Sequence, residues 1–218
     1  MDMTGKKPNV LIVYADQWRA QTTGYAGNGD VHTPNLDAFA ATALNCRRAV
    51  SGTPVCTPAR GSLLTGLYPH RHGLFLNDVP LNPALPSMGK IFAAAGYRTG
   101  WVGKWHVDGH GRYSYIPPER RHGFDFWMAL ECTHAYNRSR YYADNDPTLR
   151  WWDGYDAVSQ TDALIAWLLR ADERPFFGVL SWGPPHNPYE TAPAEYRKIY
   201  NAADLDVRPN VPAHMRAG

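Results

Sequence analysis

Residues Val10 to Ala15 form an unbroken run of apolar, β-favouring side chains, VLIVYA, followed at once by Asp16 and Gln17. A run without polar alternation has no face to offer to water, so it predicts a central strand of a parallel sheet, buried on both faces. Parallel neighbours need helical crossovers, which makes the expected class α/β: a largely parallel sheet flanked by helices. In such sheets ligands collect outside the carboxyl ends of the strands. Asp16 and Gln17 therefore stand where chemistry is expected, although an Asp ending a strand also serves as an ordinary turn or cap residue.

A second stretch, Ser51 to Gly73 (SGTPVCTPARGSLLTGLYPHRHG), is a Pro- and Gly-punctuated loop running into a short apolar helix. Pro58 suits the first helical position and Gly66 the residue just past the end. The spacing predicts a helix of about two turns with Leu63 and Leu64 toward the core. Its N-terminus, with free N–H groups and the positive end of the dipole, would face Cys56, with Arg60 one turn along. That arrangement can hold an oxyanion. A lone Cys is otherwise a small buried hydrophobe.

With 218 residues the chain can bury one sizeable core, and one domain spanning residues 1–218 is expected. A net charge of +2 with no basic block gives no case for a nucleic-acid partner. The cysteines, Cys46, Cys56 and Cys132, form no C-x-x-C pair and leave room for at most one bridge, Cys46–Cys132. No stretch approaches the ~20 apolar residues of a membrane span, so no membrane association is expected. The N-terminal apolar run is too short for a signal h-region. As written the chain reads as cytoplasmic, or as periplasmic or secreted if a leader precedes it.

Further elements follow from periodicity. His32-Thr33-Pro34 opens a helix with Leu36, Phe39, Ala40, Ala43 and Leu44 at helical spacing, Thr33 as cap and His32 as a loop residue. Ser87 to Ala95 reads as a helix closed by Gly96, with Met88, Ile91, Phe92 and Ala95 on one face. Tyr97 to Val102 is a strand delivering Gly103-Lys104-Trp105-His106, and on an extended chain Lys104 and His106 share a face. Gly109 to Asp153 is irregular and aromatic, either a sugar-binding lid or a packed satellite core. Ala157 to Leu169 is a helix through Val158, Thr161, Ile165, Leu168 and Leu169. Phe176 to Trp182 is a strand ending in Gly-Pro-Pro-His186-Asn-Pro, where prolines restrict the histidine.

Cys-Thr-Pro-Ala-Arg at 56 to 60, followed by Gly-Ser-Leu-Leu-Thr-Gly, resembles the C-x-P-x-R core of the type I sulfatases of the alkaline phosphatase superfamily. The resemblance implies that Cys56 is oxidised to Cα-formylglycine by a formylglycine-generating maturation enzyme. It implies that Asp16, Gln17 and the modified Cys56 bind a divalent metal, Ca2+ or alternatively Mg2+. Gly-Lys-Trp-His resembles the family's G-K-x-H, so Lys104 would neutralise sulfate oxygens and His106 would bond the bridging or nucleophile oxygen. Pro-Pro-His-Asn-Pro resembles P-P-H-x-P and makes His186 the general acid. His134 lies roughly where the family has another active-site histidine. Pro117 to Asp125 is similar to a stretch of bacterial N-acetylglucosamine 6-O-sulfatases.

The implied substrate is a sulfated carbohydrate or another sulfate ester. Two rivals remain: a phosphate or phosphonate monoester hydrolase of the same superfamily, and an inactive fragment of a sulfatase. A phosphatase-type Cys loop would carry its Arg at position 62, which is Ser. The chain ends about where a sulfatase's first half ends. No Asp-His or Asp-Asn pair follows His186 to complete a metal site; Asp144-Asn145 falls in the aromatic segment, and Glu190, Glu195, Asp204 and Asp206 sit in loop or helix contexts.

Overall fold

The computed structural model describes residues 6–201, 204–205 and 208–215; Asp206 lies outside them. The chain divides into two compact units, Met1–Gln17 with Val50–Thr191, and Trp18–Ala49 with Ala192–Gly218.

The first unit is built on a six-stranded sheet in the order β1-β6-β2-β3-β4-β5. Its strands are β1 (Val10–Ala15), β2 (Arg98–Lys104), β3 (Phe126–Leu130), β4 (Arg140–Ala143), β5 (Asp146–Trp151) and β6 (Phe176–Trp182). The pairs β1/β6, β6/β2 and β2/β3 are parallel, whereas β3/β4 and β4/β5 are antiparallel. The helices of this unit are α2 (Cys56–Thr65), α3 (Pro69–His72), α4 (Met88–Ala94) and α5 (Asp156–Leu168). An α/β, largely parallel sheet with helices is thus what forms, as expected, with antiparallel strands at one edge.

Several local expectations change. Strand β1 is not central: among the described residues it pairs only with β6, and Leu11 and Val13 face outward at 46% and 45% exposure. Val10, Ile12 and Tyr14 pack on the core instead. The segment read as irregular contributes β3, β4 and β5, and several of its aromatic residues are interior: Trp127 is fully buried and Phe124, Phe126, Tyr142 and Trp152 are nearly so, while Tyr113 and Trp151 are exposed. Ring edges meet ring faces from Trp101 through Trp105 to Trp127, at centroid distances of 4.8 and 5.1 Å. Such contacts add about 0.5–1.5 kcal/mol each beyond burial.

Helix α5 buries the face Asp156, Gln160, Leu164 and Trp167, and leaves Val158, Ile165 and Leu169 exposed. The sheet decides this. Gly100 and Gly178 are register partners on β2 and β6, and the Trp167 indole fills the hollow they leave; a Cβ at Gly100 would meet it at 2.9 Å. Counting apolar residues around the helix could not reveal that hollow. Helix α2 begins two residues earlier than Pro58 suggested, with Cys56 as its first residue and Pro58 third. Proline is tolerated there because N–H groups of the first turn have no partner within the helix. Leu64 is buried while Leu63 is exposed. Gly66 ends the helix in a left-handed conformation (φ 70).

In the second unit α1 (Pro34–Ala40) starts at the expected point but stops before Ala43 and Leu44, and Leu44 is almost fully exposed. Thr33 accepts from Gly24 N–H and donates to Asp37, fixing the preceding turn. His32 is a loop residue whose N–H donates to the Tyr200 hydroxyl. A single turn, α6 (Ala194–Arg197), follows the first unit in sequence. No helix among the described residues is long and apolar enough to cross a membrane. Cys46 and Cys132 are free, so the bridge left open does not form.

Candidate active site

The parallel strands β1, β6 and β2 end together, and each hands a chemical group to the same rim. Asp16 follows β1, and its N–H donates to Trp182 O at the end of β6. Lys104 is the last residue of β2. Helix α2 brings Cys56 against both: Cys56 Sγ lies 3.5 and 3.6 Å from the Asp16 carboxylate oxygens and 3.7 Å from Lys104 Nζ. Lys104 Nζ donates to Asp16 Oδ2 at 2.5 Å, and Arg60 Nη2 lies 3.4 Å from the same oxygen. Thr57 N–H, left free by the helix start, donates to Asn77 Oδ1.

Arg60 is buried and does more than balance charge. Its Nη1 lies 2.8 Å from the Tyr14 hydroxyl, Lys104 O and Ser181 Oγ, and so joins the ends of β1, β2 and β6. Ser181 also donates to Lys104 O. Tyr14 and Ser181 were not singled out from the sequence, because inside apolar runs they read as ordinary strand residues.

Burial would raise the Asp16 pKa, but Arg60 and Lys104 outweigh it and hold the carboxyl at about 2. Burial pushes the Cys56 thiol up, ahead of the opposing pull of Lys104. A thiolate nucleophile is therefore not what this pocket favours.

His106 does not continue the extended chain. Its φ of 58 turns it away from the alternation that would have placed it beside Lys104. Its Nε2 lies 3.3 Å from Asp78, which Arg112 holds by two hydrogen bonds, and its carbonyl accepts from the hydroxyl of Thr57, the residue after Cys56. Desolvation, then Lys104 and Arg60, drive its pKa down to about 3. With Nε2–H directed to Asp78, the buried Nδ1 has no hydrogen-bond partner among the described residues. Asp78, itself at φ 63, carried no signal in the sequence beyond being a loop acid.

His186 follows β6 and its Nδ1–H donates to Asn187 O at 2.8 Å, leaving Nε2 free to carry a proton. His134 stacks on it, with ring centroids 4.6 Å apart and planes inclined by 19°. Burial first, then His186 and Lys104, lower the His134 pKa. The histidine without an assigned role thus sits against the one assigned the proton. Behind Lys104, a small cavity is lined by Tyr136, Asp156 and Gln160 among others. Asp156 Oδ1 and Gln160 Oε1 are buried there with no hydrogen-bond partner among the described residues.

Gln17 is exposed, in a left-handed backbone (φ 54) beside Asp16. Strain of this kind in a non-glycine residue collects at functional sites. The Asp16 carboxylate and Gln17 amide oxygen suit a hard cation in kind. In number they do not complete a site: no group of three His, Cys, Asp or Glu side chains able to hold a metal exists among the described residues, and Asp16 is committed to Lys104 and Arg60. Asp144 and Asn145 turn the chain between β4 and β5, where Asn145 accepts from Arg121.

The family model described as sulfatase matches residues 8–212. An ulvan-active sulfatase of Formosa agariphila is 46% identical over 97% of this chain, and an endo-4-O-sulfatase of Bacteroides thetaiotaomicron 30% identical over 96%. The chain covers 42% and 50% of those two proteins, about half their length. Among solved structures, the yidJ sulfatase of Bacteroides fragilis superposes with a TM-score of 0.86 at 31% identity, covering 94% of this chain and 51% of that one.

Proposed function

The chain belongs to the sulfatase family, and from that premise we propose that it serves the hydrolysis of sulfate esters carried on sugars, with Cys56 converted to formylglycine as the nucleophile. The observation that carries this reading is the contact of Cys56, at the first position of α2, with both Asp16 and Lys104. Relatives named as an ulvan-active sulfatase and an N-acetylglucosamine-6-O-sulfatase support a carbohydrate substrate.

In this reading Sγ marks where the oxygens of the aldehyde hydrate would stand. One hydroxyl of the hydrate attacks sulfur, the S–O bond to the sugar breaks, and the sugar oxygen takes a proton. The second hydroxyl then loses its proton, the bond from carbon to the sulfated oxygen breaks, sulfate departs and the aldehyde returns. A serine ester lacks that second hydroxyl and would stall as a sulfate ester. Lys104 supplies positive charge to the sulfate oxygens. Arg60 positions the strand ends and keeps Asp16 ionised.

His186 is the general acid, with Nδ1–H fixed on Asn187 O and Nε2 available. His106 fits that task poorly. A pKa of about 3 keeps it neutral at ordinary pH, and its bare Nδ1 suits it to accept a hydrogen from the hydrate. A divalent cation, held in part by Asp16 and Gln17, would add Lewis-acid stabilisation of the sulfate charge when bound.

The test is turnover by the full-length protein, made beside a maturation enzyme, of an aryl sulfate, the matching aryl phosphonate and a sulfated oligosaccharide. Preference for the sulfates supports the reading, and preference for the phosphonate replaces it.

A further inference from the structure

Beyond the sulfate-ester site lies an open groove of ≈ 480 Å³ lined by Tyr113, Thr133, Ala135, Arg138, Arg140 and Trp151. Its volume is that of a ligand site rather than of a surface dimple. It adjoins the site through the chain itself. Thr133 and Ala135 flank His134, whose ring lies on His186, and Thr133 and Arg140 also line the small cavity behind Lys104.

The groove has two chemical characters. Trp151 and Tyr113, at 46% and 53% exposure, present large apolar faces to water. Arg138 lies 6.0 Å from the Trp151 ring centroid and Arg140 5.3 Å from that of Tyr113. Neither guanidinium has a carboxylate partner among the described residues, although Arg112, Arg120, Arg150 and Arg174 are each paired with an acid. The aromatic platforms are held in place: Arg140 and Trp151 are register partners across β4 and β5, and the Tyr142 hydroxyl donates to Tyr113 O. Fixed rings stack on the apolar face of a sugar, and unpaired guanidinium groups take an anion through two parallel hydrogen bonds.

We propose that this groove binds the sugar next to the one bearing the reacting sulfate, with Arg138 and Arg140 engaging a second anionic group on that neighbour and Trp151 and Tyr113 stacking on its ring. The assignment rests on the sulfate-ester reading of the adjoining site. It makes the two arginines specificity-determining residues for polyanionic chains over neutral ones. The shared chemistry is a second sulfate or a carboxylate.

The experiment uses the full-length protein and a sulfated disaccharide in three forms, whose neighbouring sugar carries a sulfate, a carboxylate or only hydroxyls. An aryl sulfate serves as the control. Arg138→Gln and Arg140→Gln should each raise KM for an anionic form about tenfold with kcat retained. The hydroxyl-only disaccharide and the aryl sulfate should be unaffected, and the more sensitive anionic form identifies the second group. Equal losses on all substrates, or no wild-type preference for an anionic neighbour, overturn the proposal. Calorimetric binding of the same disaccharides to the Cys56→Ala protein, which has no nucleophile, separates the two readings. If no sulfate ester is turned over, the sulfate-ester reading fails, while an arginine-dependent preference for the anionic disaccharides still upholds the groove and its absence rejects it.

Discussion

Lys104 and Asp16 end strands that are not neighbours, yet the ammonium and carboxylate meet at 2.5 Å across the carboxyl end of β6. The pair is nearly dry, and Arg60 adds a second cation from the opposite helix. Removing Lys104 takes away the shorter of the two charged hydrogen bonds to Asp16 and leaves that carboxylate to Arg60 at 3.4 Å, a loss of about 1.5–3 kcal/mol. Lys104→Ala should therefore lower stability as well as turnover, whereas Lys104→Arg should recover stability more than activity. Denaturant unfolding beside kcat separates the two effects.

Asp16→Asn tests the cation assignment. If Asp16 and Gln17 supply oxygens to a divalent ion, the calcium concentration needed for half-maximal activity should rise at least tenfold in Asp16→Asn. Overlaying titrations of wild type and variant would remove Asp16 from the metal site.

Leaving-group chemistry tests the two histidines. A sugar hydroxyl is a poor leaving group without a proton, and an activated phenol is not. His186→Ala should lower kcat/KM about a hundredfold or more on sugar sulfates and spare aryl sulfates of low leaving-group pKa. A steeper dependence on leaving-group pKa in His106→Ala than in His186→Ala would reverse the assignment.

Asp156 predicts an unusual pH dependence of stability. Burial pushes its pKa up to about 7 from a usual 3.8, so between those values the folded state holds a proton that the unfolded state has lost. Stability from this group is full below the unfolded value and declines as pH rises toward about 7. Asp156→Asn should match the wild type near pH 4 and exceed it increasingly up to neutral pH, by roughly 4 kcal/mol at most. A difference that does not vary with pH would contradict this.

Gly103→Ala should be among the most damaging single-methyl changes. Gly103 has φ 102, and a Cβ there would lie 2.1 Å from Ser181 O. Relieving that clash would force the end of β6 away from the end of β2, which carries Lys104. A loss above about 3 kcal/mol in unfolding free energy is expected.

Much of this was legible because strands and their ends announce themselves locally. The bounds of β1 and β6, the Gly66 stop and the shared rim of Asp16 and Lys104 follow from short runs and their flanking residues, while the place of Cys56 beside them was implied by the resemblance of its motif to the sulfatases. What stayed hidden depended on partners distant in sequence. Trp167 faces inward because two glycines on different strands leave it room, Leu11 and Val13 face outward on a strand that pairs on one side only among the described residues, and His106 turns aside at a positive φ. The aromatic segment read as irregular because β3, β4 and β5 are short and each continues the sheet only beside its neighbour.

The central claim is that the group at position 56 reacts as an aldehyde hydrate and not as a thiol. Mass spectrometry of the peptide containing Cys56, from catalytically active full-length protein, tests it most directly. The account predicts an aldehyde or its hydrate in place of the thiol, with no alkylation at that position, and a trapped sulfate ester on Cys56→Ser after exposure to substrate. Active protein whose Cys56 is an intact, alkylatable thiol would contradict it.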